Sequence, residues 1–226
     1  MHDDHGDEHH DHDHEHGHAH SHGPFQPDLK EPSEDWEFLE IALRELLIDK
    51  GIVTAREIED KIEEWDGKVP ENGAKVVARA WTDPAFKKRL LADGNKAVAE
   101  LGFAFPGLKL VVLENTPKVH HLIVCTLCSC YPRALLGMPP LWYKSREYRS
   151  RTVREPRAVL REFGTELSDN IEVRVVDSTA DCRFLVLPRR PAGTDAWTED
   201  RLAKLVTRDS MIGTALALAP GGERSS

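Results

Sequence analysis

The chain has 226 residues, 40% hydrophobic and 31% charged, with a formal net charge of −9 at pH 7. That suffices for one medium domain with an arm or tail, and the acidic balance argues against nucleic acid or anionic lipid as a partner. No run of about 18 apolar residues occurs, and the acidic, histidine-rich start lacks the basic and apolar blocks of a signal peptide, so the protein reads as cytoplasmic, with no membrane span.

Residues 1–23 hold every histidine except His120 and His121, interleaved with Asp, Glu and Gly. Such a segment cannot bury a core, and neutral imidazoles suit divalent cobalt, nickel, zinc and copper. It reads as a metal-gathering tail, with a purification tag as the plainer alternative. A proline-rich linker reaches residue 32. The expected organisation is a tail and linker over 1–32, a helical arm packing on a partner subunit over 33–103, and a metal-binding catalytic domain over 104–226.

Ser33 is placed to cap a first helix, with Glu34 and Asp35 in its first turn. Trp36, Leu39, Leu43, Leu46 and Leu47 form one apolar stripe that Gly51 ends. Residues 54–57 (TARE) make a capping box that opens a second helix to about Trp65. Two or three short helices follow over 72–81 and 84–101. These stripes outrun the core available locally, so a partner chain is expected to cover them.

After Gly107 the pattern changes. Residues 108–113 and 121–125 are short apolar runs, expected as buried strands. Residues 171–177 and 182–187 alternate and are expected as a second strand pair. Between them, 147–163 reads as helix interrupted at Pro156, and Thr198 caps a last helix with Glu199 and Asp200 in its first turn. The fold class is α+β. With two histidines in the folded region, no Ser-His-Asp set is expected, nor is there a Gly-rich phosphate loop.

Of the four cysteines, Cys125, Cys128 and Cys130 crowd into residues 125–130, and Cys182 stands apart. In a reducing cytosol such crowding suggests metal or catalysis rather than disulfides. The segment leaves a strand and enters a tight turn, so all three sulfurs can face one centre. The nitrogen of Cys130 closes a five-membered ring with its own sulfur, and the nitrogen of Ser129 closes a six-membered ring with the sulfur of Cys128. With both amides deprotonated, three sulfurs and two nitrogens face one ion and a sixth position stays open. Amides yield their protons only to a strongly polarising centre, which means trivalent cobalt or iron rather than zinc. On spacing alone, two other readings stay open: a tetrahedral zinc site completed by Cys182 or by His120 and His121, and an iron–sulfur cluster with Cys182 as fourth ligand. Cys182 by itself reads as a small buried hydrophobe.

Residues 124–132 (VCTLCSCYP) resemble the metal-claw motif of nitrile hydratase alpha subunits and of the related thiocyanate hydrolase gamma subunits. The resemblance extends to 87–94 (KKRLLADG), 149–157 (RSRTVREPR), 190–197 (RPAGTDAW) and 205–213 (LVTRDSMIG), and spans about 34–215. Thr126 matches the cobalt members. By resemblance the fold is an N-terminal helical arm and a layered α-β-β-α domain. Cys125, Cys128 and Cys130 are expected to bind non-corrin Co(III) through sulfur, and Ser129 and Cys130 through backbone nitrogen. Cys128 is expected as sulfinate and Cys130 as sulfenate. Oxidation withdraws charge from the sulfurs and keeps the ion Lewis acidic. Cys130, a possible direct nucleophile as sulfenate, and Ser129 are the expected catalytic residues; attack by a metal-bound water stays open as the other route.

The implied activity is that of a lyase, hydrating a small-molecule nitrile to an amide in a hetero-oligomer. The implied partners are beta-type subunits, as one fused or two split chains, and a maturation or activator protein for cobalt loading. Arg133 departs from the Trp usual in nitrile hydratases and matches thiocyanate hydrolase. If it faces the pocket, the substrate is polar or anionic, such as thiocyanate or a nucleoside-like nitrile. A pocket-lining glutamine of the family has no counterpart near Pro106. Hydrolysis of thiocyanate is therefore the alternative activity, and cobalt storage or delivery through the tail is the alternative of another class. His120 and His121 are expected at a strand edge or interface rather than as ligands.

Overall fold

A computed structural model of the chain describes residues 34–127 and 130–222. The expected tail, the Ser33 cap, Cys128 and Ser129 lie outside the described residues. The chain divides into two compact units, residues 1–55 and 56–226.

In the first unit, α1 spans Asp35–Asp49. It ends as the sequence implies: Gly51 takes φ +65, and the Ile52 amide donates back to the Leu47 carbonyl at 3.0 Å, the closure that lets a helix satisfy its last carbonyls. Its stripe is left open, with Trp36 66% and Leu39 69% exposed.

The second unit opens with α2 (Ala55–Asp66), α3 (Pro70–Thr82), α4 (Pro84–Ala92) and α5 (Gly94–Ala99). Asp83 caps α4, accepting from Ala85 and Phe86, and Asp93 caps α5, accepting from Lys96. These side chains break one helical run into three, α3, α4 and α5. The expected arm had reached residue 103, but α3 to α5 share the strands' core, contributing Val76, Val77, Phe86, Leu90 and Val98.

Four strands follow the helices: β1 (Lys109–Glu114), β2 (Val119–Val124), β3 (Glu172–Asp177) and β4 (Cys182–Leu187). Their pairing differs from the sequence expectation. β3 and β4 do not pair with each other; β1 pairs with β4 and β2 with β3, both parallel. The connections at 115–118 and 178–181 are as short as hairpin loops, but each turns the chain from one sheet to the other. Parallel strands are covered on both faces, which fits the fully buried run Leu122, Ile123, Val124. The sheets pack together through β2, which touches β1 and β4. Helices α4 and α5 cover β1.

Between β2 and β3 lie α6 (Arg133–Leu136), α7 (Leu141–Lys144), α8 (Arg146–Arg154) and α9 (Pro156–Glu162), with the break at Pro156 as expected. Helix α8 covers β2 and α9 covers β3, giving helix, sheet, sheet, helix in layers. Thr198 caps α10 (Glu199–Ala203), accepting from the Arg201 amide. A further helix not anticipated, α11 (Arg208–Ile212), opens on a capping box of Thr207 and Ser210 and packs on β2 and β4. No helix among the described residues is long and apolar enough to cross a membrane.

Candidate metal centre

Cys125 follows β2 directly and is fully buried. The ladder carries one bond past the strand, the Ser178 amide donating to the Val124 carbonyl at 2.8 Å. In that register Val124 stands opposite Asp177. The Asp177 carboxylate accepts from the Thr126 amide at 2.9 Å and from its hydroxyl at 2.5 Å. The last residue of β3 therefore fixes the first turn of the claw loop, and Thr126 serves as the grip.

The loop's far end is held separately. The Tyr143 hydroxyl donates to the Cys130 carbonyl at 2.9 Å, and Tyr148 donates to the Ile123 carbonyl at 2.7 Å. Burial, and next the Cys125 thiol, push the Tyr143 hydroxyl far above its ordinary range; burial does the same for Tyr148. Both stay protonated and act as donors. They belong to an edge-to-face aromatic cluster, Tyr131–Tyr143 at 5.2 Å and Trp142–Tyr148 at 4.9 Å between centroids, an arrangement that fixes ring positions.

Cys130 is half-buried and lines a cavity of about 780 Å³ with Lys68, Phe103, Phe105, Arg133 and Arg183. Arg133 opens α6 and faces this cavity, with its guanidinium carbon 5.4 Å from the Trp65 ring centroid. The structure thus brings Cys125, Cys130 and Arg133 to one end of the sheet.

The other metal candidates are placed differently. Cys182 begins β4 opposite Lys109, half-buried, and burial raises its thiol pKa. His120 is interior rather than at an edge. Its Nε2 donates to the Gly213 carbonyl at 2.7 Å, and its Nδ1 accepts from the Asn115 amide at 3.1 Å. His121 donates through Nδ1 to Asn115 Oδ1 at 3.2 Å. Among the described residues no three His, Cys, Asp or Glu side chains are grouped to hold a metal.

The residues that do converge fit a sulfur-bound ion. A thiol sealed from water at a strand end and a second thiol facing a cavity, with backbone between them, offer soft donors on one side and access on the other. Asp177, Tyr143 and Tyr148 were not singled out in the sequence. Their roles depend on the β2–β3 register and on packing across the sheet, and no local pattern marks them.

The layered α+β unit thus runs from the buried Cys125 at the end of β2 to Cys130 on a cavity wall. The family model described as nitrile hydratase, alpha chain, matches residues 34–215. The alpha subunit of the cobalt-containing nitrile hydratase of Pseudonocardia thermophila is 55% identical over 181 residues, 79% of this chain and 89% of that one. The thiocyanate hydrolase gamma subunit of Thiobacillus thioparus is 45% identical over 202 residues, 82% of each chain. A double mutant of the iron-type nitrile hydratase of Comamonas testosteroni Ni1 superposes with a TM-score of 0.76 at 45% identity, covering 86% of this chain and 97% of that one. The chain belongs to the nitrile hydratase alpha chain family, within which its relatives include both nitrile hydratase and thiocyanate hydrolase subunits.

Proposed function

We propose that the chain is the metal-binding subunit of a cobalt nitrile hydratase, which adds water to a nitrile to give an amide inside a hetero-oligomer with a beta-type partner. The observation that carries this is the claw's placement: Cys125 is sealed in the core while Cys130, five residues on, opens on the cavity. Cys125, Cys128 and Cys130 hold Co(III) through sulfur, with Ser129 and Cys130 adding backbone nitrogen. Cys128 is the sulfinate and Cys130 the sulfenate. When bound, the ion supplies Lewis acidity toward the nitrile and its water. The chain's own residues then divide the work. Asp177 and Tyr143 hold the two ends of the loop, Phe103 and Phe105 keep the substrate's body out of water, and Arg133 stands on the pocket wall. The open stripe of α1 is the surface for the partner subunit, and the site of action is the cytoplasm.

The test is paired, on the complex co-expressed with its partner and maturation factors and freed of residues 1–23. Metal analysis and the intact mass of the peptide bearing residues 125–130 are expected to give about one cobalt per chain and about three added oxygens, placed as sulfinate and sulfenate. Zinc with unmodified thiols would return a structural metal to first place. Turnover retained without residues 1–23 also separates the enzyme from a cobalt-delivery protein, which would lose its function.

Thiocyanate hydrolysis is kept as a second reading because Arg133 faces the cavity, as a polar or anionic substrate requires. Assay of the same complex with nitriles and with thiocyanate separates the two.

A further inference from the structure

Three cationic side chains, Lys68, Arg133 and Arg183, line the cavity that contains Cys130, and no described residue of its lining is Asp or Glu. Gathering like charges raises their mutual energy and lowers that of any anion entering between them.

Two of these cations are built into place. The Trp65 ring carries Lys68 Nζ 4.3 Å and Arg133 Cζ 5.4 Å from its centroid, so one aromatic platform gathers both, as ring quadrupoles do for cations. Asn72 Nδ2 donates to the Gly67 carbonyl at 2.8 Å and to the Ala134 carbonyl at 3.2 Å, stitching the turn before α3 to α6. Gly137 adopts φ +68, and a Cβ there would stand 2.5 Å from the Lys68 carbonyl oxygen. This close approach, open only to glycine, brings the backbone of Lys68 against α6. Such preorganisation lowers the ordering cost of binding.

Much of the remaining wall is apolar, through Phe103, Phe105 and Leu108, with Asn72 and Tyr131 beside them. At about 780 Å³ the cavity has the size of an organic-ligand site, where roughly 300–1,000 Å³ is usual. Thiocyanate, with three heavy atoms, would leave most of it empty.

We propose that this cavity selects nitriles bearing a carboxylate, with Lys68 and Arg133 as the subsite for the carboxylate and Phe103 and Phe105 flanking an apolar or aromatic body. The nitrile then points to Cys130. Hydration joins the oxygen of water to the nitrile carbon and leaves both its protons on nitrogen, so the product is a carboxylate-bearing amide. The assignment rests on the hydratase reading and adds the substrate class.

The test uses the cobalt-loaded complex and three probes: 4-cyanobenzoate, the near-isosteric neutral 4-cyanobenzamide, and thiocyanate. The ratio of kcat/KM for the carboxylate over the amide is expected to be about tenfold or more, the range of one charge-assisted contact. Lys68→Met and Arg133→Leu should each lower that ratio about tenfold, and Lys68→Arg should restore it. Added salt should raise KM for the carboxylate alone. Calorimetry with the two nitriles should show the same order without reliance on turnover. Hydration of both nitriles with a ratio near unity, or a ratio that Lys68→Met leaves unchanged, overturns the subsite and leaves the hydratase reading standing. Consumption of thiocyanate with both nitriles untouched overturns both. If neither is consumed, calorimetry decides: tighter binding of 4-cyanobenzoate that Lys68→Met weakens supports the subsite, and equal or absent binding removes it.

Discussion

The two parallel strand pairs end differently. Beyond β1 and β4 the chain is stitched to its own framework: Glu114 pairs with Lys87, the Trp81 indole donates to the Pro188 carbonyl at 2.9 Å, and Arg190 donates to the Trp81 carbonyl at 2.9 Å. Beyond β2 and β3 the terminal carboxylate, Asp177, reaches instead to the claw at Thr126, and the claw's other end opens on a cavity. Ligand sites in parallel sheets gather beyond the carboxyl ends of strands; here one pair's ends serve as scaffold and the other's position chemistry. The claw's sequence supplies sulfur, but its two described ends are held by Asp177 of a neighbouring strand and by Tyr143.

The largest effect is expected from breaking the support under β2. Gly213 sits at φ +95, and a Cβ there would lie 2.0 Å from the His121 carbonyl oxygen. β2 cannot yield, since β3 fixes its register. Gly213→Ala should therefore cost about 3 kcal/mol or more in denaturant unfolding, combining left-handed strain with overpacking. A wild-type unfolding curve would mean that β2 shifts freely and the claw is not rigidly placed.

The next sets the two strand ends against each other. Asp177→Ala removes both bonds to Thr126 and should weaken cobalt retention in the co-expressed complex by roughly 10–100-fold, as loss of a ligand-orienting partner does. Glu114→Ala breaks a half-exposed ion pair, and should cost at most about 1 kcal/mol with cobalt retained. Equal cobalt loss from both variants would erase the distinction between scaffold end and site end.

Much of this was legible in the sequence, for reasons that also explain the rest. Gly51 after α1, Thr198 ahead of α10 and the Pro156 break act within a few residues, so local chemistry reveals them. The family resemblance rested on the claw and four flanking segments. What stayed hidden depends on long-range pairing. The crossed strand partners look like hairpins to any reading of loop length, and Asp177 gains its role only once it stands opposite Val124. Lys68 reads as an ordinary surface lysine until Asn72 and Gly137 bring its turn to α6.

A smaller effect concerns pH. His120 is held neutral, with Nε2–H donating to Gly213 and Nδ1 accepting from Asn115. Protonation would set a hydrogen on Nδ1 against the Asn115 amide, and burial lowers the ring's pKa. Burial, then the Arg174 guanidinium, lowers that of His121, against a weaker opposing pull from Glu172. A depressed folded pKa means that the unfolded chain takes up the proton first. This stability is complete above about pH 6.5 and is lost as pH falls toward the lowered folded value, at up to about 1.4 kcal/mol per pH unit for each ring. Urea unfolding between pH 8 and pH 5 should show the slope, and His120→Gln should flatten it. An unchanged slope would place the proton uptake elsewhere.

The smallest effect belongs to Cys182, and its smallness is informative. It stands at the amino end of β4 opposite Lys109, at the start of the scaffold pair. Its thiol is half-buried and its pKa is raised by burial, which disfavours the thiolate that a metal requires. Cys182→Ser should therefore leave cobalt content and the mass of the 125–130 peptide unchanged and move stability by less than about 1 kcal/mol. Loss of metal on this substitution alone would put Cys182 among the ligands and revive the four-ligand structural site. The division between the two strand pairs would then fail, because the scaffold pair would be holding the metal too.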